Sequence, residues 1–122
     1  MVAVIVTALA VLCALFASWF SIALCPLKHQ KTGLYTACII LCLQAILAIA
    51  YRTSWEKDPL IFFCIVIFHQ SHINLSVRIS GNLRDAYPRF QSITPVIPAA
   101  LFSAALTLMM WSFAAAIVSR AH

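Results

Sequence analysis

Of the 122 residues 64% are hydrophobic and 9% charged, and the mean hydropathy of +1.00 excludes an ordinary soluble domain, in which the apolar share is well below this. The net charge of +5 comes from eight Lys and Arg against three acids. These cations lie between apolar runs rather than in a stripe with interleaved aromatics, so they read as interfacial anchors and exclude a nucleic-acid surface.

An all-α, polytopic integral membrane protein is expected, a single domain over residues 1–122 folded as a four-transmembrane-helix bundle in contact with the lipid bilayer. Val2 to Cys25 carries no charge and is long enough to cross the hydrocarbon layer with some tilt. No basic segment precedes it, so it reads as a retained first span (2–25) rather than a cleaved leader. Ala10, Ala14, Ser18 and Ser21 give it a small-residue stripe that should face another helix. A polar connection with Lys28, His29 and Lys31 leads to the second span (33–51), whose interior polar groups are Thr36 and Gln44. Cys38, Cys42, Ala45 and Ala48 form its small face, which predicts close antiparallel packing on the first span, and Gln44 is expected to hydrogen-bond to a neighbour.

Arg52 to Asp58 is a charge-balanced interfacial loop flanked by Tyr51 and Trp55. Pro59 opens the third span (59–80), and the stretch from Phe62 to Arg78 is expected to form one helix without a break. At 100° per residue His69, His72, Ser76 and Ser80 fall within about 80° on one face, while Ser71, Asn74 and Arg78 gather on the opposite side. Neither polar seam suits lipid, so each should meet protein, a cofactor or a watered cleft. Gly81 to Ile93 reads as an interfacial loop or short helix. Thr94 and Pro95 then offer an N-cap and first-turn proline to the last span (94–119), whose face combines Ala100, Ala104, Thr107, Trp111 and Ala115.

Counting cations on alternate sides gives five on one side (Lys28, Lys31, Arg78, Arg84, Arg89) and three on the other (Arg52, Lys57, Arg120), which places both termini on the non-cytoplasmic side. The five cysteines include no CxxC pair and are odd in number, so they read as packing residues rather than a disulfide framework. No metal site is expected. The acids Glu56, Asp58 and Asp85 all lie outside the spans, leaving no embedded carboxylate for acid–base catalysis or ion coupling.

The chemistry therefore concentrates on His69 and His72, which at i, i+3 can reach one cofactor edge; haem or a (bacterio)chlorophyll is the group a membrane histidine suits. No catalytic residue is assigned. The expected role is a small accessory subunit of a larger membrane-embedded complex, redox or other, packed against other membrane subunits, with a cofactor contact through the third span. Two resemblances supply alternatives. The run Arg78-Ile-Ser-Gly-Asn82-Leu-Arg-Asp85-Ala-Tyr87-Pro88 resembles the R-x3-N-x2-[DE]-x2-P signature of the MAPEG family of membrane glutathione-dependent enzymes, also four-span proteins. There the signature opens the second helix, whereas here it precedes the last. The resemblance implies substrate-binding roles for Arg78, Asn82 and Asp85. His72 followed by Asp85, Tyr87 and Pro88 is similar to the histidine and downstream Asp-Tyr region of the membrane anchors of succinate dehydrogenase and fumarate reductase, with Ala86 here separating the pair. That similarity implies a haem- or quinone-binding anchor.

Overall fold

The computed structural model describes residues 2–121 and their side chains, apart from the side chains at 2, 3, 28, 90 and 121. Six α-helices follow one another: α1 (Val2–Ala23), α2 (Gln30–Ala50), α3 (Arg52–Lys57), α4 (Pro59–Gln70), α5 (Ile73–Ala86) and α6 (Val96–Ala121). Short 3-10 turns at Leu27–His29 and Pro88–Ser92 complete the chain, and no strand occurs among the described residues. Three helices, α1, α2 and α6, are each long and apolar enough to cross a membrane, and α4 and α5 together make a fourth span bent by 42°. A bend of that size leaves the chain travelling onward, as the register of its contacts also requires.

That register comes from the hydrogen bonds. Ser18, Ser21 and Cys25 of α1 and its C-terminal end meet Gln70, Ser71 and Asn74 in ascending order, so α1 and the bent span run parallel. His69, Ser76 and Ser80 meet Thr107, Ser103 and Pro95 in descending order, so the bent span and α6 are antiparallel. Helix α1 packs chiefly along α4, and α2 along α6. Each chain neighbour thus reverses direction, while the closest lateral pairs run parallel.

The third span differs from the unbroken helix expected from its sequence. It breaks at Ser71 and His72 because a side chain from α1 enters its hydrogen-bond ladder. Ser21 Oγ donates to the Ser71 carbonyl (3.1 Å) and accepts from the Asn74 amide (2.7 Å), replacing two ladder partners. The His72 amide turns back three residues to the His69 carbonyl (3.0 Å), a 3-10 step that tightens the turn. A new helix starts at Ile73 and passes through Gly81 to Ala86, six residues beyond the expected end of the span. Gly81 weakens a helix by about 1 kcal/mol relative to Ala, too little to stop it. Pro88 does stop it, forcing the preceding Tyr87 out of the helical region to φ −124°, ψ 97°.

Two apolar clusters hold the bundle. Towards the end where α1 begins and α6 finishes, Leu47, Phe62, Trp111, Ala114 and Val118 pack together, with the Phe62 and Trp111 rings 4.7 Å apart. Towards the opposite end Cys25, Ala37, Ile40, Ile73 and Val77 form the second. The small stripe of α1 is buried as expected, its neighbour being α4. The expected small face of α2 is not the one it packs with. Thr36, Ala37, Ile40, Gln44 and Leu47 turn inward, whereas Cys38 and Cys42 are exposed on the outer surface and Ala45 borders an open cleft. The segment 52–57, expected as a loop, is the short helix α3, carrying an exposed Arg52–Glu56 ion pair at 2.8 Å.

Candidate functional site

The polar seam of the third span is the candidate site. His69, on the last turn of α4, is only 1% exposed and points at α6. Thr107 Oγ1 donates to the Ser103 carbonyl one turn earlier (2.7 Å), so with its single proton engaged it accepts from His69 Nε2 at 2.6 Å. This fixes the neutral tautomer with the proton on Nε2 and leaves the Nδ1 lone pair as a buried acceptor without a protein donor. One turn further, Ser103 Oγ donates to Ser76 Oγ (2.6 Å), which donates to the His72 carbonyl (3.3 Å). Ser80 closes the seam by donating to the Pro95 carbonyl at 2.8 Å. The His72 and Pro95 carbonyls also accept the backbone amides of Ser76 and Ala99, so the two serine hydroxyls are second donors to oxygens that already open a helix.

A second polar contact lies on the α1 side. Ser18 Oγ stands 2.8 Å from the Ala14 carbonyl and 2.5 Å from the amide of Gln70, which is fully buried. With the amide turned so that Nε2 donates to Ser18, the hydroxyl proton serves Ala14, and the other amide atom of Gln70 is left buried without a protein partner.

The bend separates the two histidines. His69 lies inside the bundle, whereas His72, on the break itself, is half-buried and packs edge-on to the lipid-exposed Phe68 ring, centroids 4.4 Å apart. Its ring is outside the seam that its backbone carbonyl helps to satisfy. Arg78, Asn82 and Asp85 lie at i, i+4 and i+7 along one exposed edge of α5. No group of three or more His, Cys, Asp or Glu within reach of one metal ion occurs among the described residues, and Cys13, Cys25, Cys38, Cys42 and Cys64 are free thiols. His122 lies outside the described residues.

Sequence reasoning missed two groups. Gln44, expected to bond to a neighbour, is 4% exposed with both amide atoms unpartnered, and the indole N–H of the equally buried Trp111 is also unpartnered. Both residues line a cleft of about 480 Å³ between α1, α2, α4 and α6, beneath α3. A glutamine in an otherwise apolar span was the available signal; that it meets a cavity depends on where the helices cross. Comparison with family models, with curated proteins and with solved structures returns no match for the chain.

Proposed function

We propose that the protein is a small accessory subunit of a larger membrane-embedded assembly, held there by the outer face of α2. The observation that carries this reading is the position of Cys38 and Cys42, two small residues one helical turn apart, exposed on the outside of the bundle. Lipid has no preference for small residues, whereas close approach of a second helix needs them. The interior supports the same reading. Ser18, Ser21, Ser103, Thr107 and His69 are engaged in hydrogen bonds that join α1, the bent span and α6, which is the work of a scaffold. The three acids lie in α3, at Asp58 and on the exposed edge of α5. In this role both termini face away from the cytoplasm.

Purification from native membranes in a mild detergent, followed by native mass determination, tests the proposal. Wild-type protein is expected in a particle well above 13.5 kDa with other membrane chains. Cys38→Leu and Cys42→Leu, which thicken the outer face, should release it as a helical bundle of unchanged helix content. A stable wild-type monomer overturns the proposal. If that isolated protein also conjugates glutathione, the edge formed by Arg78, Asn82 and Asp85 supports the enzyme reading instead. The absorption spectrum of the same particle reports whether a haem or chlorophyll accompanies it, and whether any band moves in His69→Leu or His72→Leu.

A further inference from the structure

We infer that the cleft between α1, α2, α4 and α6 is a binding site for a lipid alcohol, with the hydroxyl of the ligand paired to the Gln44 amide. The cleft measures about 480 Å³, within the range of small-molecule sites. Ala14, Leu41, Val66 and Ala48 make its walls apolar, and Trp55 of the interfacial helix α3 stands at one end. Gln44 lies six residues before the end of α2, about 9 Å along the helix at 1.5 Å per residue, so it is well inside the hydrocarbon layer.

The chemistry of the occupant follows from what is left unpaired. Gln44 holds both an N–H donor and a carbonyl acceptor without a protein partner at the wall of the cleft. An unpaired buried polar group is costly, so a glutamine at an apolar wall calls for a polar counterpart. A lipid tail supplies none. A ketone or ester would answer the N–H groups and leave the Gln44 carbonyl unpaired. A carboxylate would bring a charge into hydrocarbon with no cation among the lining residues. A neutral hydroxyl both donates and accepts, and its apolar body fits the walls. The Gln44 amide atoms are themselves covered, so the side chain meets the ligand by changing to another staggered rotamer that carries the amide into the cleft.

The two tryptophans at the cleft report on its occupancy. In a Trp19→Phe background, which removes the exposed tryptophan of α1, the remaining emission comes from Trp55 and Trp111. The purified full chain is titrated with 11,12-dibromododecan-1-ol and, separately, with the headless 1,2-dibromododecane, both heavy-atom quenchers. The alcohol is expected to quench saturably at about tenfold lower concentration, the worth of one added buried hydrogen bond. Gln44→Leu should remove that difference while leaving quenching by the alkane. Ala48→Leu, which narrows the cleft and keeps Gln44, should weaken both, so the test does not depend on one variant folding. Equal quenching by the two probes, or a preference for the alcohol that survives Gln44→Leu, overturns the inference. The readout needs no partner subunit, so it stands or falls separately from the accessory-subunit proposal.

Discussion

With its one proton engaged at Ser103, Thr107 can only accept from His69, and this makes the pair unequal. Removing the threonine hydroxyl strands a second nitrogen on an imidazole that already has one unpaired, whereas removing both polar groups leaves an apolar contact of similar shape. Thr107→Val is therefore expected to destabilise the bundle by about 1–3 kcal/mol, and the double variant His69→Leu/Thr107→Val by clearly less. Denaturant titration in mixed micelles measures both; a double variant at least as unstable as Thr107→Val would show that the imidazole has another partner. At this scale the sequence was partly legible. The 100° spacing put His69, Ser76 and Ser80 on one buried face, where they are. It also put His72 there, and the reason it lies elsewhere is Ser21, some fifty residues away in the chain, whose hydroxyl breaks the helix between the two rings.

Helix ends follow local rules, and most of them were readable. The expected limits of the first, second and last spans fall within three residues of those observed, because proline, cation and polar clusters mark them directly. The far end of α5 was not readable in that way, since Gly81 and a polar sequence resemble a loop until Pro88 is seen to be the residue that stops the helix. A Cβ added at Gly81 would meet only His29 Cε1, at 4.0 Å, and the backbone there is helical. Gly81→Ala should thus stabilise the protein by roughly 0.5–1 kcal/mol, read as a shift in the same denaturant titration. Loss of stability would mean that the approach of the Leu27–His29 turn needs the bare glycine. The face that α2 turns inward was legible in neither direction. Small residues and mixed residues alternate around it, and the choice is made by the crossing of α2 with α6, where Leu47 joins the cluster of Phe62 and Trp111.

For the whole molecule, composition alone announced a helical membrane bundle, because only helices satisfy their own backbone in hydrocarbon and no charge interrupts the long runs. The alternation of the spans places Gln30 and Thr53 at opposite ends of α2. Cysteines introduced at these two positions in a cysteine-free background should be labelled by an impermeant maleimide from opposite faces of sealed vesicles. Labelling of both from one face would remove the four-span topology.

The parallel pairing of α1 with the bent span also sets an order of events in biogenesis. Residues that emerge first from a ribosome must wait for their partners: Ser21 needs the backbone of Ser71 and Asn74, and Ser18 needs Gln70, all synthesised after the whole of α2. Until then α1 and α2 form a hairpin in which these hydroxyls fall back on carbonyls of their own helix, as Ser18 already does with Ala14. The third span is the piece that completes α1, since Ser21 takes up ladder groups of Ser71 and Asn74 at its kink. A nascent chain arrested before Pro59 would hold α1 and α2 without the groups that Ser18 and Ser21 meet in the finished bundle.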